Sequence, residues 1–252
     1  MVSRNLSVHK EHEILLKLED AGIDDMLAQK IIDSKSNYLA KKIVRLVKNG
    51  GYESTASQLR ARDIMGKNFF GIEEAIECLR VEPTDQQLAL LSSIPFPEGV
   101  LALVKRTHTL VAVFPLSILE IRKRKRELFE LYKNDWYAES EMFARESKEA
   151  SWQLVCNYPY DDSFSRSWVR QEGLLCQMDD IPSAQVMVYT IIGHYLATHE
   201  RLFKGDIFVR TSSVNSEGYH IQVGGFSDRL DINYTIGDGP IYHLGLASSR
   251  RA

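Results

Sequence analysis

Few side chains in this sequence stand at spacings that catalysis or metal binding uses. His194 and His199 are five apart, on different faces of a helix, which argues against a shared metal. His194 reads as a core-edge histidine and His199 as a solvated helix end. His9 and His12 share a helical face but have no third ligand in view. Asp228, Asp231, Asn233 and Asp238 cluster in a short stretch. They lack the alternate ligands, mid-loop glycine and closing glutamate of a calcium loop, and so read as turn formers or exposed surface. The sequence has no His-Glu-x-x-His, Cys-x-x-Cys, Gly-x-Ser-x-Gly or Gly-x-x-x-x-Gly-Lys. The expectation is a protein that is not an enzyme, with no catalytic residues, metal site or cofactor.

Two further groups have non-enzymatic readings. The run Arg122-Lys123-Arg124-Lys125-Arg126 is the one hint of nucleic acid, but it has no interleaved aromatics and Glu127 and Glu130 follow. A solvated strand end or turn is the reading preferred. Trp136, Trp152 and Trp168, with Tyr132, Tyr137, Phe143, Tyr158, Tyr160 and Phe164, read as core anchors rather than a ligand cage. Bulk charge agrees with this. The 252 residues carry 31 Lys+Arg against 34 Asp+Glu, a net charge of −3, so nucleic acid is a disfavoured partner. Cys78, Cys156 and Cys176 are odd in number and widely spaced, which disfavours a disulfide scaffold.

The elements that must position these groups change character along the chain. The first third reads as helices: Leu15 and Leu18, then Leu39, Ile43, Leu46 and Val47, fall at three- and four-residue spacings, with Gly22 and Gly50-Gly51 as terminators. Helices are also expected over Ile72 to Val81, near Gln86 to Leu91, and up to about Lys105. Thr109 to Phe114 is a β-branched apolar run, read as a buried strand, and a second apolar run spans Leu116 to Ile121. Two helices follow, Ser165 to Cys176 and Ser183 to His199; the second is apolar on most sides and is expected against a sheet. The last 48 residues hold 7 of the 15 glycines and read as short strands: Ile207 to Arg210, Tyr219 to Val223, Leu230 to Asn233 and Leu244 to Leu246. The expected fold class is α+β, with a helical region over 1–105 for assembly or as an adaptor, and a ligand-binding domain over 106–252.

The tail mixes two kinds of position. Val209, Ile221, Val223, Phe226, Leu230, Ile232, Leu244 and Leu246 form a regular apolar framework. Between them lies an aperiodic set: Gly225, Ser227, Asp228, Arg229, Asp231, Asn233, Tyr234, Thr235, Gly237, Asp238, Gly239, Pro240, Ile241, Tyr242 and His243. A rigid scaffold carrying Tyr, Asn, Asp and Gly on loops has the composition of a binding surface. Tyr234, Tyr242 and His243 are the expected central anchors, and Asp231, Asn233, Thr235 and Asp238 the adaptable polar contacts. Asn233-Tyr234-Thr235 also matches a glycosylation sequon, incidental without a secretory route.

Arg210-Thr211-Ser212, Val223-Gly224-x-Phe226, Leu230-x-Ile232 and Leu244-Gly245-Leu246-Ala247-Ser248-Ser249-Arg250 resemble the C-terminus of variable proteins of diversity-generating retroelements. Pro182-Ser183-Ala184-Gln185 and Tyr195 to Leu202 resemble the helix that precedes that tail. The resemblance covers about 106–252, most sharply 182–252. It implies a C-type-lectin fold of the formylglycine-generating-enzyme subtype, with short strands and two helices, whose variable tail (about 219–246) is rewritten while Val223, Gly224, Phe226, Leu230, Ile232, Leu244, Gly245 and Arg250 stay fixed. No tryptophan follows Trp168, and the Glu-Pro-Asn, Gln-Pro-Asp and Trp-Asn-Asp triplets of calcium-dependent sugar binding are absent. All cysteines precede residue 177, whereas the catalytic enzymes use a late pair.

The leading expectation is a non-enzymatic binding protein presenting a hypervariable surface to an unknown ligand, expected to be a protein, with homo-oligomerisation open. The alternative is a fixed structural or adaptor protein of a virus or microbial cell with a lectin-like domain. The N-terminus has no apolar signal region and the longest apolar stretch, Val186 to Leu196, is too short for a membrane span, so a cytoplasmic or virion-associated location is expected.

Overall fold

The computed structural model describes residues 6–131, 136–138, 140–237 and 239–251. Tyr132 and Asp238 lie outside them. The chain divides into two compact units, Met1–Glu53 and Ser54–Ala252.

The first unit holds α1 (Val8–Asp20), α2 (Asp25–Ile32) and α3 (Tyr38–Lys48). Ser7 Oγ and Asp24 Oδ1 cap the first two by accepting from Lys10 N–H and Leu27 N–H. Gly22 and Gly51, at φ +95° and +90°, let the chain leave α1 and α3 in a conformation that a Cβ would strain. No residue of these three helices is buried.

The second unit runs α4 (Ala56–Met65), β1 (Phe69–Phe70), α5 (Ile72–Leu79), α6 (Asp85–Leu90), α7 (Glu98–Val104), β2 (His108–Val113), α8 (Ile118–Arg124), α9 (Met142–Arg145), β3 (Ser151–Cys156), α10 (Trp168–Glu172), β4 (Asp179–Asp180), α11 (Ala184–Thr198), β5 (Phe208–Val214), β6 (His220–Gly224), β7 (Asp231–Tyr234), β8 (Leu244–Leu246) and β9 (Ser249–Arg250). The class is α+β. One sheet has the order β1-β2-β3-β9-β4 and the other β7-β6-β5-β8. In the first, β2 and β3 pair antiparallel from His108 opposite Cys156 to Val113 opposite Ser151, and every residue of β2 is buried.

The helix α11 packs against strands of both sheets and is buried from Ala184 to His194, as its all-round apolar character demands. Gly193 permits the closest approach: a Cβ there would meet the Phe70 ring at 3.0 Å. Phe70 in turn meets Tyr189 edge-on at 6.1 Å.

Two expectations need adjustment. Residues 54–105, grouped above with the helical N-terminal region, belong to the same compact unit as the sheets. Phe69 and Phe70 pair in parallel with Leu110 and Val111, and Trp152 Nε1 donates to Leu91 O at 2.9 Å, so this segment completes the core rather than preceding it. The basic run is not a strand end. Ser117 forms a capping box with Glu120, α8 starts, and Arg122, Lys123 and Arg124 make its last turn, where cations suit the helix dipole. Arg122 is buried with its guanidinium 5.3 Å from the Tyr137 ring centre, and Arg124 Nη1 donates to Leu79 O.

Candidate functional site

Strand alternation gives the second sheet two chemically different faces. Val223 opposes Ile232 and Gln222 opposes Asn233 across β6 and β7; Val209 opposes Val223 and Arg210 opposes Gln222 across β5 and β6. Successive residues point to opposite sides. Val209, Ile221, Val223 and Ile232 therefore share one face, all buried. Phe208, Arg210, Gln222, Asp231 and Asn233 share the other.

The connection from β7 to β8 has to pass from one edge of this sheet to the opposite edge. Arg210 anchors it. Only 3% exposed, Arg210 donates from Nη2 to Gly239 O (3.0 Å) and from Nη1 to Gln171 Oε1 (3.0 Å) and Arg166 O (3.2 Å). Gln222 Nε2 donates to Thr235 Oγ1 at 3.0 Å, holding the other end. Ser165 N–H donates to Ile241 O and Phe208 N–H to His243 O, which ties the loop back to its surroundings. The result is a strap over the polar face, fixed at several backbone points while Ile236 (74% exposed) and Tyr242 (77%) project outward.

The sequence-derived site residues divide on this geometry. Ser227, Asp228, Arg229, Gly237, Gly239, Pro240 and Tyr242 are exposed. Asp231 and Asn233 are half-buried on the strap side, as are Thr235, Ile241 and His243 along the strap itself. Gly225, at φ +62°, lies against Phe208, whose ring a Cβ would meet at 2.7 Å. Phe208 also meets His243 at 6.0 Å, and His243 meets Tyr242 at 4.7 Å, so Gly225, Phe208, His243 and Tyr242 form one continuous patch. Ser227 Oγ accepts from Gly205 N–H, and Asp228 O accepts from Arg201 Nη2.

Tyr234 stands apart from the rest. It follows Asn233 and so faces the other way, stacked on Tyr219 (5.9 Å, 6° between planes) and against Trp136 (5.0 Å). Phe143 and Tyr137 extend this cluster. Phe208, Gln222 and Ile236, which the sequence reading did not single out, belong to the site. The signal for Gln222 was its place between two apolar neighbours in an alternating strand.

A cleft of about 600 Å³ lies beside the same sheet, lined among others by Trp168, Glu172, Asp179, Asp180, His220 and Arg251. Trp168 stacks on His220 with ring centres 3.5 Å apart. Asp179 is engaged already, accepting from Cys176 Sγ at 3.0 Å and facing Arg250 at 3.4 Å.

The buried histidines lie elsewhere. Burial, reinforced by Lys67 and opposed by Glu200, pushes the His194 imidazole down to about 4. Its Nδ1 lies 3.4 Å from Thr109 Oγ1, which donates to Asn157 Oδ1 at 2.7 Å. His108 is likewise pushed down to about 4, by burial and then by Arg250. These groups stay neutral inside the core. Among the described residues no three His, Cys, Asp or Glu side chains converge as metal ligands, and no helix is long and apolar enough to cross a membrane. No family model, curated protein or solved structure matches this chain.

Proposed function

We propose that this protein is a non-enzymatic ligand-binding protein whose second sheet and strap present a surface diversified by a retroelement on a C-type-lectin-like scaffold. The observation that carries this reading is the division of the tail. The framework positions Val209, Ile221, Val223, Phe226, Leu230, Ile232, Leu244 and Leu246 are at most 1% exposed. Ser227, Asp228, Arg229, Gly239, Pro240 and Tyr242, interleaved with them, are exposed, whereas Gly237, also exposed, is held at φ +83°, where a side chain is strained. Side chains that face solvent on a backbone held by buried strands and by Arg210 can change at little cost to stability.

The ligand proposed is a protein, met by a patch of about 800 Å². Tyr242 is its central anchor and Ile236 a further apolar contact, because exposed apolar and aromatic groups gain contact area with little ordering entropy. His243 supports Tyr242 from behind. Tyr234, packed into the Tyr219 and Trp136 cluster, fits a structural role better than a contact role. A cytoplasmic or virion-associated location goes with this reading.

Sequencing codons 219–246 and the flanking DNA across a natural population tests it. Expected are substitutions concentrated at the exposed strap and turn codons, unchanged codons for Ile221, Val223 and Ile232, and an adenine-rich near-repeat nearby. A uniform tail without a repeat overturns the diversification and leaves a fixed adaptor.

A further inference from the structure

One cleft of the second unit is lined by an excess of positive charge. It has a volume of about 430 Å³ and is formed by residues at the C-terminal ends of α5 and α8, with Glu120 from the first turn of α8. Four cations line it, Arg80, Lys123, Arg124 and Lys125, against that one carboxylate; Cys78 and Leu79 complete the lining. Two helix ends bring the cations together. Lys123 and Arg124 are in the last turn of α8, and Lys125 closes it, its N–H donating to Ile121 O and Arg122 O. Arg80 closes α5 at φ +53°, a left-handed conformation that glycine would adopt without strain.

The partners within the protein do not use up this charge. Arg124 Nη1 donates to Leu79 O, one of the carbonyls left open at the end of α5. Glu120 Oε2 is turned to the start of its own helix, where it accepts from Ser117 N–H and Ser117 Oγ. Among the described residues Arg80, Lys123 and Lys125 form no ion pair. Helix C-termini attract cations, but each is equivalent to only about half a negative charge. Two such ends and Glu120 amount to about −2 against the four cations, which leaves an excess of about +2.

That excess matches one kind of anion. A phosphate monoester carries about −1.5 to −2 near neutral pH and presents three acceptor oxygens, which guanidinium and ammonium groups meet with charge-assisted hydrogen bonds. The volume falls in the range of small-molecule sites, so the organic part of such a ligand has room beside its phosphate. A nucleic-acid strand fits less well. It needs a basic groove that tracks its backbone, whereas Glu77, Glu82, Glu127 and Glu130, all exposed, flank the two groups of cations in sequence.

We infer that this cleft binds the phosphate of a small phosphate monoester, with Arg80, Lys123 and Lys125 as donors and Arg124 tying the two helix ends together. None of these residues belongs to the second sheet or the strap, so the site does not depend on the retroelement reading.

Titration of the isotope-labelled full chain with inorganic phosphate and with adenosine monophosphate, at constant ionic strength and followed by amide chemical shifts, is the test. Saturable shifts are expected at 79–81 and 123–125, with a Kd of about 1 mM or tighter. Arg80→Gly is expected to weaken binding by about tenfold or more while leaving the melting temperature no lower, because it removes a donor and relieves the left-handed strain. Lys123→Gln with Lys125→Gln weakens binding to a similar degree. Arg126→Gln, in the same basic run but outside the lining of the cleft, leaves it unchanged. No saturable shift with either probe at about 10 mM overturns the inference. So does an effect of Arg126→Gln equal to that of the lysine pair, which means bulk charge rather than a site. Tighter binding of a single-stranded oligonucleotide at the same amides overturns it in favour of nucleic acid.

Discussion

The two faces of the second sheet are made by the same four strands and differ in everything else. On one side Val209, Ile221, Val223 and Ile232 close onto the core that α11 organises. On the other Arg210 and Gln222 hold a long strap by its backbone and by Thr235. The first face fixes side chains, whereas the second fixes a path and leaves several of its side chains outside. A strand can thus serve rigidity and variability at once, because alternate residues answer to different neighbours.

The contrast is sharpest if truncation is costly on the inner face. Ile221→Ala should destabilise by about 2–5 kcal/mol, read from denaturant unfolding. Arg210→Met keeps volume but strands three acceptors, two of them backbone carbonyls, and is expected to cost about 3–4 kcal/mol. Faster amide exchange along 235–243 would distinguish a released strap from general loosening.

The core behind the inner face should also respond to acid. His194 has a folded value of about 4 against 6.5 when unfolded, so the unfolded chain takes the proton first. Stability is complete above pH 6.5 and falls toward pH 4, by up to about 3 kcal/mol for this histidine. His194→Gln should flatten that part of the profile in pH-dependent melting curves.

The smaller effects decide where the boundary between the faces runs. Tyr234→Ala should cost about 1–2 kcal/mol through the lost Tyr219 and Trp136 packing. Tyr242→Ala should change stability by ~0.5 kcal/mol or less while weakening capture of an identified ligand at least tenfold. If Tyr242 proves costly to stability and Tyr234 does not, the assignment of the two faces is reversed.

Periodicity reached far into this fold and stopped at identifiable places. The run Thr109 to Phe114 became β2, one residue early, and Ser183 to His199 became α11, because both are long and apolar. The framework of the tail is legible for a different reason, the alternation of Tyr219, Ile221 and Val223 and of Leu230 and Ile232. β1 was not, since two phenylalanines acquire a strand conformation only by pairing with Leu110 and Val111. Ser151–Cys156 alternates only from Ser151 to Leu154 before Val155 breaks the pattern, a run too short to mark β3 by periodicity alone. In the site, composition grouped Tyr234 with Tyr242, but their surroundings depend on pairing partners far away in sequence. Nothing local to Arg210 announces that its guanidinium reaches Gly239, twenty-nine residues on.

The strand β9 lies between β3 and β4 in the interior of the first sheet. Its codons are read only after those of the strap. A slip of reading frame anywhere from 225 to 243 therefore replaces β8 and β9 together, and the backbone groups of Leu154, Val155, Asp179 and Asp180 lose their partner strand. Such a product leaves unpaired strand edges in the interior of the first sheet. In-frame changes between 225 and 243 leave the pairing of β8 with β5 and of β9 with β3 and β4 in place, whereas a shifted frame removes both.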